Sequence, residues 1–161
     1  MTIRAATEDD IPRILEIENE TITPPWTHGA LLSEIYRDDC FFAVSYVGGH
    51  ESRTCGFDDI GGHEARTCGF VILRRMSEDE GELLQIAVDK TARRRGVADK
   101  LMGAAMRYSE VLSIRRIFLE VRKGNETAIA LYKKHGFVNV RVRKDYYSDP
   151  TEDAVVMVRG N

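Results

Sequence analysis

No stretch of this sequence is apolar for long enough to span a bilayer. Acids at Glu8, Asp9 and Asp10 stand where a secretory leader would need an unbroken apolar core. Cysteine is scarce: Cys40, Cys55 and Cys68 are an odd number with no framework spacing, which suits a reducing compartment and excludes a disulfide scaffold. An excess of positive charge is also missing. The 23 Lys and Arg are outnumbered by 26 Asp and Glu, for a net charge of −3, so no global basic field recruits nucleic acid or an anionic membrane. These absences lead us to expect a cytoplasmic protein with no membrane and no nucleic-acid partner. What remains is ordinary for a globular chain: 161 residues, 43% hydrophobic and 30% charged, enough for one domain with a real core.

Periodicity divides the chain into alternating elements. Thr2 to Ala6 reads as a short strand. Thr7, with Asp10 three residues on and Pro12 in the first turn, opens a helix with an apolar stripe of Ile11, Ile14, Leu15 and Ile17. Its acids, Glu16, Glu18 and Glu20 with Asp9 and Asp10, are expected on a solvated face. Pro24-Pro25 ends that segment, Trp26 follows in the loop, and a second helix is expected over Thr27 to about Tyr36. Strands are expected over Phe41 to Val47, Cys68 to Leu73, Glu82 to Val88 and Arg116 to Val121. Between the last two lies a long helix with Val97, Leu101, Ala104, Ala105, Tyr108, Val111 and Leu112 on one side. Asn125 caps a further helix that ends at Lys133-Lys134-His135-Gly136. Val138, Val140 and Val142 alternate with polar residues as a half-exposed strand, and Ala154 to Val158 makes a last one. The order is βααβ then ββαβαββ, an α/β layer architecture.

One segment is unusual. GGHESRTCGF (Gly48 to Phe57) returns as GGHEARTCGF (Gly61 to Phe70), identical but for Ser52 against Ala65. Two copies are too few for a solenoid. The plain reading is a local duplication that lengthens a loop at about residues 48–66 within a single domain spanning 1–161. Each copy carries His-x4-Cys (His50/Cys55 and His63/Cys68), so zinc ligation is the competing reading. Duplication alone supplies that regular spacing, and no metal is expected.

The chemistry concentrates between Val88 and the long helix. Arg93, Arg94, Arg95, Gly96, Val97 and Ala98 place successive backbone N–H groups at a helix N-terminus. Gly96 lets an anion approach the backbone, and Ala98 is too small to block it. Unpaired amides, the positive end of the helix dipole and forked arginine donors all favour a phosphate or pyrophosphate. The alternative is a solvated basic helix start. No Gly-Lys-Ser/Thr follows to make a Walker loop, and no second glycine completes a dinucleotide fingerprint.

Arg93-x-x-Gly96-x-Ala98 after a buried strand resembles the pyrophosphate-binding motif of the Gcn5-related N-acetyltransferases. Leu83 to Met102 resembles that family's whole central strand, loop and helix. Leu119-Glu-Val-Arg122, Asn125-x-x-Ala128, Ala130-Leu-Tyr132 and Gly136-Phe137 resemble its second half. Tyr146-Tyr147 before Glu152-Asp153-Ala154, and Pro25-Trp26, are similar to the RimI-type protein N-terminal acetyltransferases. The resemblance covers nearly the whole chain except the duplicated loop. It implies a single domain with a mixed, mostly antiparallel sheet splayed at an acetyl-coenzyme A site and flanked by about four helices. It further implies that backbone groups of Ile86, Ala87 and Val88 receive the pantetheine arm, that residues 93–98 hold the diphosphate, and that Asn125 contacts coenzyme A as well as capping its helix.

Glu120 lies in the apolar run Ile117 to Val121, where a carboxylate is costly unless paired or functional. The resemblance makes it the general base; the alternative is an ion pair with Arg122 or another strand arginine. Tyr132 becomes the acid that protonates the coenzyme A thiolate; without the resemblance it reads as a core tyrosine. Glu82 is a reserve base, and direct transfer is expected rather than an acetyl-cysteine intermediate. For substrate, Trp26 would wall one side of a peptide groove and Tyr146-Tyr147 the other, with a half-buried core tryptophan as the plain alternative. The acceptor implied is a protein N-terminus, ribosomal or of broader choice, and the enzyme a monomer or homodimer. Competing readings are a polyamine or aminoglycoside acetyltransferase, a non-catalytic acyl-coenzyme A sensor, and nucleic-acid binding through Arg93 to Arg95 and Arg141 to Lys144.

Overall fold

The computed structural model describes residues 1–47 and 66–160. The first copy of the duplicated segment, the first five residues of the second, and the His50, Cys55 and His63 of the zinc reading lie outside the described residues. The described chain runs β1 (Thr2–Ala5), α1 (Ile11–Thr21), α2 (His28–Ile35), β2 (Cys40–Val47), β3 (Arg66–Arg75), β4 (Glu80–Val88), α3 (Val97–Val111), β5 (Arg116–Arg122), α4 (Glu126–Lys134), β6 (Val138–Ser148) and β7 (Thr151–Gly160). The strands form one seven-stranded sheet in the order β1-β2-β3-β4-β5-β7-β6. Only β4 and β5 pair in parallel; every other neighbouring pair is antiparallel. This is the mixed, mostly antiparallel sheet with four helices that the sequence leads one to expect.

Two apolar layers form because the strands alternate their side chains across the sheet. On one face Val71, Leu73, Leu83, Ile117, Leu119, Val155 and Met157 meet Val97, Leu101, Met102, Ala105 and Met106 of α3 and Tyr132 of α4. On the other face Phe42, Val44, Phe70, Ile72 and Ala87 meet Ile11, Ile14 and Ile17 of α1 and Leu31 of α2. At Gly69 an added Cβ would lie 2.8 Å from the Ala87 carbonyl oxygen, so only glycine lets β3 and β4 approach there. Thr27 caps α2 by accepting from the Ala30 amide at 3.2 Å, and Asn125 caps α4 by accepting from Ala128 at 3.2 Å.

Three expectations need correction. The buried side of α3 is Val97, Leu101, Met102, Ala105, Met106 and Ser109, while Val111 is 81% exposed. The reason is phase: at about 100° per residue Val111 falls on the far side of the helix from Met102, Met106 and Ser109, while Tyr108 and Leu112 of the same turn still pack against the core. The valines of β6 face no core on either side, because β6 is the edge strand and a register irregularity between Asn139 and Arg141 breaks the alternation. The first helix does not solvate all its acids: Asp10 and Glu18 are buried.

Candidate active site

The sheet comes apart in its middle. β4 and β5 pair over only three positions, Glu80 with Arg116, Gly81 with Ile117 and Glu82 with Phe118. Beyond Glu82, β4 stays with β3 as far as Val88 opposite Gly69, while β5 stays with β7 as far as Arg122 opposite Ala154. A register irregularity between Ile72 and Leu73 leaves Leu84 as the extra residue of β4 where the strands part. The β5-facing backbone edge of Ile86, Ala87 and Val88 therefore borders a wedge-shaped opening rather than a neighbouring strand.

The 93–98 link lies where β4 leaves that wedge. Asp89 caps a single 3-10 turn at Lys90–Ala92 by accepting from the Thr91 amide at 2.8 Å. Arg94 (φ +61°) and Gly96 (φ +76°) then take left-handed conformations. Such a φ costs about 1 kcal/mol at a non-glycine residue. No heavy atom lies within 4 Å of a Cβ built on Gly96. Glycine there answers the dihedral angle, and the space before it is open. The amides of Val97, Ala98 and Asp99 begin α3 and so lack acceptors within the helix. Arg93 folds back, its Nε donating to the Val88 carbonyl at 3.2 Å; Arg94 and Arg95 are exposed. Asp99, an acid in this first turn, is matched by Lys134 at 2.7 Å and His135 at 2.9 Å from the end of α4. Those two partners hold its carboxyl below the ordinary aspartate value.

Glu120 alternates with the buried Leu119 and Val121, so it faces the α1/α2 side of the wedge. Arg143 of β6 donates to its Oε1, and the Tyr146 phenol also bonds it. The Arg143 guanidinium lies 4.2 Å from the Tyr146 ring centroid. Glu82, at the apex where the strands part, shares this face. Burial and then the charge of Glu120 push its carboxyl above the ordinary glutamate value. The ion-pair alternative for Glu120 thus has a structural counterpart in a strand arginine, Arg143 of β6 rather than Arg122. Arg122 instead donates to the carbonyls of Asp149 (2.9 Å), Pro150 (3.1 Å) and Thr23 (3.2 Å) and to Glu152 (3.2 Å), and it stacks 4.2 Å from the Tyr147 ring centroid. One side chain so ties the α1–α2 loop to the β6–β7 turn.

Tyr132 belongs to the opposite, α3/α4 face, 7% exposed, its ring 6.0 Å from that of Phe137. Burial, with a smaller contribution from Tyr147, raises its phenol above the ordinary tyrosine value, so it keeps its proton at neutral pH. Glu120 thus lies on one face of the sheet and the protonated phenol of Tyr132 in the core on the other, near enough to Tyr147 to feel its charge.

Trp26 is half-buried and packs against the α1/α2 core. Its backbone amide donates to Glu18 Oε2 at 2.7 Å and its indole Nε1 to the Gln85 side-chain oxygen at 2.8 Å, while the Gln85 amide nitrogen donates to Glu18 Oε1. Burial raises the Glu18 carboxyl above its usual value. The structure thus brings Glu120, Tyr146, Tyr147 and Glu82 together on one side of the wedge, with Ile86 to Ala98 along its β4 side, and places Tyr132 in the α3/α4 core. Trp26 anchors the loop beside them. Glu18, Gln85 and Arg143 are site neighbours that sequence reasoning missed. A signal existed for Glu18, which falls in the 11, 14, 18 stripe; none existed for Arg143, which reaches Glu120 across an intervening strand.

The acetyltransferase (GNAT) family model matches residues 11–137. An N-alpha-acetyltransferase of Saccharolobus solfataricus is 31% identical over 159 residues, covering 98% of this chain and 92% of that one. A putative [ribosomal protein bS18]-alanine N-acetyltransferase of Bacillus subtilis is 29% identical over 150 residues, covering 92% and 88%. The crystal structure of Ard1 from Thermoplasma volcanium superposes with a TM-score of 0.82 at 30% identity, covering 99% and 96%. With a family match over most of its length and the splayed sheet that the resemblance implies, this chain belongs to the acetyltransferase (GNAT) family.

Proposed function

We propose that this chain transfers the acetyl group of acetyl-coenzyme A to the N-terminal α-amine of proteins, as a RimI-like enzyme. The observation that carries the reading is the parting of β4 from β5 beside the open amide end of α3, with Glu120 on one face and Tyr132 on the other. The names of its relatives support the α-amine as acceptor, and one of them names a ribosomal protein. That protein, or a broader set of N-termini, is the substrate class.

The residues present fit the donor. The clear space before Gly96, the amides of Val97 and Ala98 and the side chains of Arg93, Arg94 and Arg95 suit a diphosphate. The backbone edge of Ile86 to Val88 suits an amide-bearing arm, and Asn125 lies at the start of α4 on the same side. Bound there, acetyl-coenzyme A supplies a thioester carbon and a thiolate leaving group.

An α-amine has a pKa of about 8, so roughly a tenth is neutral at pH 7 and only a modest base is needed. Glu120 takes that proton, directly or through water. A backbone amide of Ile86 to Val88 steadies the developing oxyanion, worth about 3 kcal/mol where such a donor is well placed. Tyr132, kept protonated by its burial, gives its proton to the departing sulfur. Tyr146 and Tyr147 border the acceptor groove. Trp26 holds the α1–α2 loop that forms its other bank.

The test is acetyl transfer to peptides that differ only in their first residue, with an N-terminally blocked peptide and spermidine as controls. Transfer to free N-termini alone is expected. Transfer to spermidine with none to peptides would overturn the reading and favour a small-amine enzyme.

A further inference from the structure

We propose that Arg143 is a specificity-determining residue: its guanidinium holds the place on Glu120 that the acceptor's ammonium takes, and on exchange it serves the part of the acceptor next to that amine. The inference rests on the acetyl-transfer reading above and deepens it.

Three features carry it. The first is position. Arg143 lies opposite Ala154 and Glu120 opposite Val156, so the pair reaches diagonally across β7 on the groove face. The Arg143 side chain is 43% exposed and that of Glu120 23%, so an acceptor arriving from solvent meets the guanidinium first.

The second is charge. Glu82 faces the same opening close enough for each carboxylate to feel the other. Of the other nearby arginines, Arg122 is committed to the loop carbonyls and Glu152, and Arg74 is paired with Glu34, its charge reaching Glu82 rather than Glu120. Arg143 is thus the cation set directly on Glu120. A neutral ligand displacing it would leave Glu120 without its counter-ion beside a second acid, which is costly in a partly desolvated site. An ammonium exchanges for it charge for charge.

The third is where the guanidinium goes. It stacks on Tyr146, itself 44% exposed on the edge strand, so it can leave Glu120 without leaving the groove. A forked cation beside the amine site favours an acceptor with a carbonyl or carboxylate close to its amine, and disfavours one with a second positive charge there. A peptide N-terminus has the first property. A polyamine has the second.

The experiment compares transfer to two peptides starting with alanine, one with glutamate and one with lysine as second residue, using the full-length enzyme, R143Q and R143K. Unaltered enzyme should prefer the glutamate peptide. R143Q should lose about tenfold of that preference in kcat/KM, mainly through KM, because one charge is removed near the variable side chain. R143K should restore most of it. An unchanged preference in R143Q, or equal loss in R143Q and R143K, would overturn the proposal, since charge would then not be the operative property. If the unaltered enzyme acetylates neither peptide, the acetyl-transfer reading itself fails and this proposal goes with it.

Discussion

Two carboxylates face the opening, and their surroundings suit them to unequal work. Glu120 lies between buried Leu119 and Val121 on β5, held by Arg143 and Tyr146; Glu82 lies at the apex, pushed toward its neutral form by burial and by Glu120. Glu120→Gln should lower kcat by about a hundredfold, the usual scale for a lost general base. Glu82→Gln should lower it by no more than about tenfold. Steady-state kinetics on a peptide acceptor would decide, and the reverse order would move the base to Glu82. Tyr132→Phe removes only the phenol oxygen from a packed ring. It should cut kcat by about a hundredfold while the dissociation constant for acetyl-coenzyme A moves less than about threefold. Collapsed affinity at unchanged turnover would make this tyrosine a packing residue.

Among the elements, α1 depends on a polar anchor. Asp10 is 5% exposed and accepts from Arg4 (2.6 and 2.9 Å), the Thr7 amide (2.9 Å) and Thr67 (2.9 Å), joining β1, the start of α1 and β3. Burial pushes its carboxyl up, but those hydrogen bonds outweigh burial and leave it below the ordinary aspartate value. For an acid lowered in this way, the stabilisation is present above the unfolded value and is lost as pH falls through the folded one. Asp10→Asn should therefore cost about 1–3 kcal/mol at pH 7 by urea unfolding, and the deficit should shrink toward pH 3. An equal deficit at both pH values would show that its charge contributes nothing. The Thr7 and Asp10 pairing was legible because capping depends on residues three apart. The burial of Asp10 was not, since Arg4 and Thr67 come from other strands.

At the scale of the whole molecule, element type and order were legible almost throughout, because apolar periodicity records which way each segment faces. The splay was legible only through the family resemblance. No residue of β4 says that its pairing with β5 stops at Glu82. That follows from a register irregularity and from strands that keep their outer partners. The edge position of β6 was hidden for the same reason, since alternating valines look alike at a sheet's edge and at its centre. Arg143 was out of reach because its partner lies 23 positions away and across a third strand.

In the proposed reaction the wedge between β4 and β5, with the 93–98 turn at its mouth, receives acetyl-coenzyme A. Isothermal titration of the folded chain with acetyl-coenzyme A tests it most directly. One site per chain with micromolar affinity is predicted, weakened about tenfold or more by Gly96→Val, where a β-branched residue opposes the left-handed turn. No heat of binding from folded protein, or an affinity indifferent to that substitution, would contradict it.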